Sequence, residues 1–538
     1  MQYLFAIAWG HRVAALLAAA FVFCLQPALA GSAASDKSLV RAERALREGD
    51  YDSAEKMYRD LLAKDPRDTK ARLGLSSTLL KKRQLQDAYD HAARVIMVDP
   101  LSARAHSLLG SAILAGGDFR NSVEEFRTAL SINQNDAPAV AGLAMIDFYE
   151  NRLDAAVRGL RRATILEPNE PDYIFNLGQA AARSERYKEA ADAYERFLAV
   201  APKTDADRRD RIRGLVDFLR YLGKQAQLYV PGGESKTTVS FESIDQRPIL
   251  FVRINGNRKE FRFVLDTGSG MSVISDETAK RLGMKPVAQG GLARAVGGGG
   301  KFQIVYGFLS SLEIGEVKVT NVPVYIRRFY DESVPVDGYI GLSIISKFLA
   351  SIDYGDRTFS LVRRSSADNF DLWRTLYRIQ DSQTETVLLP GGVEVPLRTT
   401  SSGFLSGEVM LEGVDKPQNF IIDTGASISV VSEKLAAHEA VSIHLQPTRL
   451  RVYGAAGIAE DVKTLTLPAV MLGTITRRLL SAAILDLEPV NETAGFSQDG
   501  ILGANFFRFF RVSFDFQRGV IRLDPVTKTA RAGESKPQ

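Results

Sequence analysis

Apolar and small residues return every 34 positions through the first part of the chain. Prolines follow this spacing, with Gln134 in the one place where a proline is missing: Pro66, Pro100, Pro168 and Pro202. Small residues form a second column: Ala54, Ala88, Ser122, Ala156 and Ala190. Mostly large apolar residues form a third: Tyr58, Ala92, Phe126, Leu160 and Tyr194. Columns that share one period predict helix-turn-helix units, with small residues where two helices approach and proline at each unit boundary.

This pattern resembles the tetratricopeptide repeat, since the spacing, the small positions and the closing proline match, although the family's tryptophan is absent. The resemblance covers five repeats over residues 37–202 and implies an all-α solenoid. Residues 203–224 carry an amphipathic pattern that ends at Gly223, which predicts a capping helix over the last repeat. The resemblance also implies a concave surface for a protein partner. The alternative is a rigid spacer or shield for the next domain.

Beyond Gly223 the pattern changes to short alternating runs separated by glycine turns, which predicts an all-β region. Two of its apolar runs lead into an aspartate, FVLDTGSGMSVIS (263–275) and FIIDTGASISVVS (420–432), at an offset of 157 residues. Downstream, VDGYIGLSII from Val336 matches QDGILGANFF from Gln498. A glycine-rich turn lies between the two elements in each copy. Three elements in the same order indicate a duplicated half.

This order resembles that of aspartic proteases, and the short halves look closer to retropepsin-like domains than to pepsin lobes. The resemblance implies an all-β bilobal aspartic-protease fold after the solenoid, with two retropepsin-like lobes in one chain. We expect lobe 1 at 226–364, a linker at 365–385 and lobe 2 at 386–526. Because so short a linker holds the halves at high effective concentration, we expect the lobes to pair within one chain.

Two carboxylates that share one proton can activate a water and protonate a peptide carbonyl, without a metal or a nucleophilic side chain. By resemblance, Asp266 and Asp423 are this catalytic dyad. The same resemblance assigns Thr267 and Thr424 to hydrogen bonds across the two loops. It assigns Gly268 and Gly425 to a close approach of the two backbones. This chemistry requires no cofactor, and we expect none.

The two loops differ at the next position, where Ser269 follows Gly268 but Ala426 follows Gly425. We hypothesise that the Ser269 hydroxyl donates to Asp266 and favours its ionised form, which leaves Asp423 as the protonated member. Apolar-apolar-glycine segments that end at Gly341 and Gly503 are expected to pack behind the aspartate loops. The flap candidates, with ordinary hairpin turns as the alternative, are Gly297, Gly298, Gly299, Tyr453 and Gly454.

Composition and motif content reduce the number of partners and catalytic groups that this chain could use. A net charge of +4 on 538 residues, without a basic stripe, argues against nucleic acid as a partner. The single cysteine, Cys24, lies in the N-terminal segment, and no GxSxG motif is present. The nearest histidine pair, His438 and His444, lacks zinc-site spacing, so we expect no metal.

The first thirty residues have the pattern of a secretory signal peptide. His11 and Arg12 precede the apolar run Val13–Leu25, and QPALA ends at Ala30. We therefore expect cleavage after Ala30, export to the periplasm and no membrane span in the cleaved chain. The alternative is an uncleaved membrane anchor. The polar tail at 527–538 is expected to be disordered.

Together these features predict an exported aspartic endopeptidase that cleaves a peptide or protein substrate and carries a protein-interaction solenoid. The alternative from another class is a non-catalytic scaffold whose protease-like domain only binds peptide.

Overall fold

A computed structural model describes residues 37–225, 227–294, 301–331, 334–363 and 392–526. The predicted signal segment, the linker at 365–385, the flap candidates Gly297, Gly298 and Gly299, and the tail lie outside these residues. The boundaries proposed for the domains therefore stay predictions.

The N-terminal region is helical. A helix over residues 37–48, which we call α1, precedes helices α2 to α11: Tyr51–Lys64, Thr69–Lys81, Leu85–Val98, Ala103–Ala115, Phe119–Ile132, Ala137–Tyr149, Leu153–Leu166, Pro171–Arg183, Tyr187–Val200 and Ala206–Leu222. Aspartates at positions 50, 68 and 118 cap three of them by accepting a backbone N–H at their N-termini. The small column from Ala54 to Ala190 is fully buried where helices pack. The predicted tetratricopeptide solenoid is confirmed.

The chain divides into two compact units, and each has its own core. Among the described residues, the first comprises 37–114, Asp118–Gly142 and Pro202–Asp205. Its core includes Ala54, Tyr58 and Leu75 from successive helices. The second comprises Ala115–Gly117, Leu143–Ala201 and the described residues from Ala206 to 526, so it holds the later helices together with the β-rich region.

Within the second unit, helix α11 buries two different faces. Ile212 and Leu219 pack with helices α9 and α10 in one hydrophobic cluster. Phe218 belongs to the core of lobe 1, where its ring stacks on Tyr306 with centroids 4.2 Å apart. At Gly214 a Cβ would lie 2.2 Å from the carbonyl oxygen of Gln289, so only glycine lets this helix approach the sheet. The expected capping helix is thus also part of the lobe 1 core.

Lobe 1 is built from strands β1 to β12 in chain order: Val230–Gly233, Lys236–Ser240, Glu242–Ile244, Arg247–Ile254, Phe261–Leu265, Val273–Ser275, Ala288–Arg294, Lys301–Ile314, Val317–Arg327, Gly338–Ile340, Phe348–Asp353 and Thr358–Arg363. Short helices lie at Asp276–Arg281 and Leu342–Ile345. Its main sheet has the order β1-β9-β6-β10-β5-β4-β8-β7, with β3 paired to β4. Strand β10 lies parallel to β5 and antiparallel to β6.

Lobe 2 repeats this plan with strands β13 to β23: Val393–Pro396, Arg398–Thr399, Leu405–Leu411, Gln418–Ile422, Ser429–Ser432, Leu445–Gly454, Gly457–Leu472, Ile475–Leu485, Gly500–Leu502, Phe510–Asp515 and Val520–Pro525. Its short helices are Glu433–Ala436, Glu439–Ser442, Glu488–Ala494 and Ala504–Phe507. The sheet order is β14-β15-β16-β21-β17-β20-β19-β18. Strand β21 pairs parallel to β16 and antiparallel to β17, as β10 does with β5 and β6.

A third sheet joins the lobes, with the order β13-β23-β22-β11-β12-β2. At its centre β11 of lobe 1 pairs antiparallel with β22 of lobe 2. The hydroxyls of Ser351 and Ser513 meet across this pair at 2.9 Å, and both side chains are buried. The predicted bilobal all-β fold is confirmed, and backbone pairing holds the two lobes together within the chain.

Candidate active site

Each aspartate of the two Asp-Thr-Gly loops follows directly after a buried strand. Strand β5 ends at Leu265, and the Asp266 N–H donates to the carbonyl of Ile340 on β10 at 3.0 Å. Strand β16 ends at Ile422, and the Asp423 N–H donates to the Leu502 carbonyl at 2.9 Å. In each lobe the hydrogen bond to the neighbouring strand therefore fixes the backbone of the aspartate at the end of the buried apolar strand.

The threonines of the two loops hydrogen-bond across the lobe boundary with two-fold symmetry. The Thr267 hydroxyl donates to the Ile422 carbonyl at 2.8 Å, and the Thr424 hydroxyl donates to the Leu265 carbonyl at 2.8 Å. Each hydroxyl also accepts the other threonine's backbone N–H, at 3.0 and 3.2 Å. Both side chains are fully buried. These bonds lock the two loops into one register.

The glycines allow each loop to lie directly against the other lobe's aspartate. A Cβ at Gly268 would lie 2.3 Å from Cγ of Asp423. A Cβ at Gly425 would lie 2.6 Å from Oδ1 of Asp266. No side chain fits at either position, so the loops bring the two carboxyl groups together only because both residues are glycine.

Local hydrogen bonds to the two carboxyl groups differ. Asp266 accepts the Gly268 N–H at 2.9 Å and the Ser269 hydroxyl at 2.6 Å. Asp423 accepts two backbone N–H groups, from Gly425 at 2.8 Å and Ala426 at 3.1 Å, but no hydroxyl from its own loop. The Ser269 donor expected from the sequence is therefore in place.

The pKa values of both aspartates lie above the usual range, chiefly because burial disfavours the ionised form. The pKa of Asp423 is raised well above its usual range, by burial and then by the negative charge of Asp266. Burial also raises the pKa of Asp266, but the Ser269 hydroxyl opposes this rise. A hydrogen bond between the carboxyl groups raises the pKa of Asp423 and lowers that of Asp266. The pair thus favours a proton on Asp423.

Gly341 and Gly503 lie behind the aspartate loops. A Cβ at Gly341 would lie 2.6 Å from the Ser269 carbonyl oxygen, and one at Gly503 would lie 2.8 Å from that of Ala426. Each glycine N–H donates at 3.1 Å to a buried serine hydroxyl, Ser272 in lobe 1 and Ser429 in lobe 2. These serines support the loops, and they were not identified from the sequence. They are 157 residues apart, as are the two aspartates, and this shared offset could have revealed their role.

Among the flap candidates, Tyr453 and Gly454 lie in a hairpin of lobe 2. Strands β18 and β19 pair until Gly454 faces Gly457, so Ala455 and Ala456 form the tip. The Tyr453 side chain is 41% exposed, and the Arg451 guanidinium lies 5.5 Å from its ring centroid. The corresponding hairpin of lobe 1 is formed by β7 and β8.

Arg327, at the end of strand β9, is a further residue of this region that the sequence did not indicate. Its Nη1 donates to the carbonyl of Ala455 at the lobe 2 hairpin tip, at 3.0 Å. Its positive charge opposes the rise that burial causes in the pKa of Asp266. No motif surrounds it, and only the fold brings it beside the dyad.

Within the described residues, no cluster of three or more histidine, cysteine or acidic side chains could hold a metal ion. No helix in the same part of the chain is long and apolar enough to cross a membrane.

Two joined β lobes with interlocked Asp-Thr-Gly loops define the aspartic-protease class of fold. A family model described as aspartyl protease matches residues 251–344 and 407–506. Two models described as tetratricopeptide repeat match residues 45–112 and 142–206. The chain therefore carries tetratricopeptide repeats in its N-terminal part and aspartyl-protease segments in both lobes, which confirms the predicted fusion.

Curated relatives match shorter stretches. Anaphase-promoting complex subunit 3 of Schizosaccharomyces pombe is 28% identical over 142 residues, which cover 26% of this chain and 21% of that protein. BBSome complex member BBS4 of Bos taurus is 24% identical over 158 residues, which cover 29% of this chain and 30% of that protein. The chain thus spans less than a third of either relative.

Among solved structures, a thermophilic tetratricopeptide protein of Thermus thermophilus is 21% identical with a TM-score of 0.30, covering 35% of this chain and 99% of that chain. A MamA structure is 21% identical with a TM-score of 0.22, covering 31% of this chain and 90% of that chain.

Proposed function

We propose that the protein is an aspartic endopeptidase in which Asp266 and Asp423 activate a water for attack on a peptide bond. The observation that carries this proposal is the mutual interlocking of the two loops. Each glycine lies against the opposite carboxyl group, and each threonine bonds the opposite strand. Such a pair of buried carboxyl groups, one of them with a strongly raised pKa, suits simultaneous acid and base catalysis.

In the proposed reaction Asp266 is the base and Asp423 the acid. The oxygen of the water attacks the scissile carbonyl carbon while Asp266 takes a proton from that water. At the same time Asp423 gives its proton to the carbonyl oxygen. The resulting gem-diol then breaks its C–N bond. The leaving nitrogen takes the proton from Asp266, and one diol hydroxyl returns a proton to Asp423, so the dyad is restored.

The assignment of roles is supported by the asymmetry of the loops. Ser269 donates to Asp266 at 2.6 Å, whereas the equivalent position in lobe 2 is Ala426. A hydroxyl donor stabilises a carboxylate over a carboxylic acid, so Asp266 is the member that stays ionised and can accept the proton of the water. Because the two groups titrate as a pair, a pH profile reports values for the dyad as a whole.

The decisive experiment compares the parent protein with Asp266→Asn and Asp423→Asn on an unstructured protein substrate from pH 3 to 8. We expect cleavage by the parent and none by either variant. Cleavage that persists in both variants excludes the dyad as the catalyst. If the parent cleaves nothing at any pH but binds peptide, the non-catalytic scaffold is the better description.

We also propose that the chain is exported and that the solenoid binds a protein partner or substrate. Export is supported by the segment from His11 to Ala30, and N-terminal sequencing of the mature protein tests it by locating cleavage after Ala30. Protein binding is supported by the tetratricopeptide repeats.

A further inference from the structure

We propose that Arg327 selects peptide substrates that carry a carboxylate side chain close to the scissile bond. The inference rests on the proposed peptidase function and names the chemical class of its substrate. Arg327 contacts the hairpin tip of lobe 2, where its Nη1 donates to the Ala455 carbonyl at 3.0 Å, and its charge acts on the Asp266 carboxyl group. A peptide held between the two carboxyl groups and this hairpin would therefore pass near the guanidinium.

The surroundings of Arg327 are aromatic. Its guanidinium carbon lies 5.6 Å from the ring centroid of Phe329, 5.8 Å from that of Tyr339 and 6.0 Å from that of Phe302. Tyr339 is the central residue of strand β10, whose next residue, Ile340, accepts the N–H of Asp266. These contacts surround the guanidinium with three partly buried aromatic rings, and Tyr339 links it to the strand that fixes Asp266.

The guanidinium is incompletely paired in this position. Its Nε is buried and has no hydrogen-bond partner among the described residues. The lowered pKa of Arg327 has burial as its main cause, so the charged form lacks part of the solvation it has in water. A substrate carboxylate would supply an acceptor for Nε and the neighbouring Nη together, which is the geometry that guanidinium groups favour.

The fold itself does not require an arginine here. Strand β9 pairs parallel to β6 with Arg327 opposite Ser275. In lobe 2 the same pairing of β20 with β17 places Leu485 opposite Ser432, the counterpart of Ser275. Leu485 is buried in a hydrophobic cluster. The charge at 327 is therefore an asymmetric addition to one lobe, as expected for a residue that distinguishes one side of a substrate.

The test uses the full chain and a library of proteome-derived peptides, read by mass spectrometry in two ways. Cleavage sites are collected from the parent, Arg327→Leu and Arg328→Leu, each at its own pH optimum. For the second readout, Asp423→Asn is added to each of these three proteins, and the peptides that each protein retains are sequenced. Arg327→Leu copies the residue of lobe 2, and Arg328→Leu removes the exposed neighbouring arginine as a matched control. Circular dichroism and melting temperature verify folding.

We expect aspartate or glutamate to be enriched at one fixed position near the scissile bond for the parent and for Arg328→Leu. For Arg327→Leu the preference for a glutamate peptide over its glutamine analogue should fall by about 10- to 100-fold, the range for a lost charge-assisted hydrogen bond. Absence of acidic enrichment in both readouts, or its survival in folded Arg327→Leu, overturns the inference. Acidic enrichment among retained peptides without cleavage by the parent refutes the peptidase proposal but supports Arg327 as the selecting residue.

Discussion

The substitution Thr424→Val tests whether the cross-lobe threonines hold the two aspartate loops in register. Valine has nearly the shape of threonine but no hydroxyl, so the change removes two hydrogen bonds without opening a cavity. The Leu265 carbonyl loses a donor at 2.8 Å, and the Thr267 N–H loses an acceptor at 3.2 Å. Leu265 and Thr267 are fully buried, so water does not readily replace the missing partner.

The size of the effect follows from the burial of these groups. Leaving a buried donor or acceptor unsatisfied costs about 1–3 kcal/mol per group, so the free energy of unfolding should fall by about 2–6 kcal/mol. At about 2 °C per kcal/mol for a large domain, the melting temperature should fall by at least about 4 °C. Looser loops also displace the carboxyl groups, and kcat/KM should fall by about 10- to 100-fold.

Melting temperature by differential scanning fluorimetry and kcat/KM on a peptide substrate measure both effects. The matched control is Thr238→Val, which removes a hydroxyl that meets Ser360 at 2.9 Å in the sheet that joins the lobes. The control should cost about 1 kcal/mol and leave kcat/KM unchanged. If Thr424→Val is no more harmful than Thr238→Val in both measurements, the threonines do not set the register of the loops.

Three further predictions concern the dyad. Ser269→Ala should raise the pKa of Asp266, because the carboxylate loses its hydroxyl donor, so the acid limb of the pH profile of kcat/KM should move to higher pH. Asp423→Asn should abolish activity but stabilise the fold increasingly as the pH rises. The folded parent holds a proton on Asp423 that the unfolded chain releases, so its stability falls between the ordinary and the raised pKa. Gly268→Ala should lower kcat/KM by about 100-fold or more, because the new Cβ would overlap the Asp423 carboxyl group.

Each of these predictions has a control within the chain. Ala426→Ser places a hydroxyl at the equivalent position of lobe 2. If neither Ser269→Ala nor Ala426→Ser changes the pH profile of kcat/KM, the assignment of the proton to Asp423 is contradicted. Asp415→Asn changes an exposed aspartate, and its thermal shift should not depend on pH as that of Asp423→Asn does. Gly232→Ala adds a Cβ 3.7 Å from its nearest neighbour and should be tolerated. Full activity in Gly268→Ala contradicts the close approach of the loops.

The second unit joins helices and lobes through specific contacts. Arg183, at the end of α9, donates to the carbonyls of Thr400 and of Ser401, the latter at 3.1 Å, and its guanidinium lies 3.8 Å from the Phe148 ring centroid. Together with Phe218 of α11 on Tyr306, these contacts make the later repeats part of the packing of the lobes. Removal of the repeats would therefore expose core surface of the protease-like region.

The sequence by itself determined the repeats and the duplication, because both are periodic. The column from Ala54 to Ala190 marks buried positions one helical repeat apart, where the close approach of two helices leaves room only for small residues. The Asp-Thr-Gly loop, the glycine-rich turn and the apolar-apolar-glycine segment each occur twice and in the same order, so the equivalence of the two halves is visible without coordinates.

Contacts between residues that are far apart in the sequence and follow no repeat are visible only in the tertiary structure. Arg327 has Leu485 as its counterpart and belongs to no motif, so only folding brings it near Asp266. The second buried face of α11 likewise depends on Tyr306, which lies on strand β8 of lobe 1. Spacing along a chain records contacts within an element and between repeats, whereas contacts between unlike elements arise only from packing.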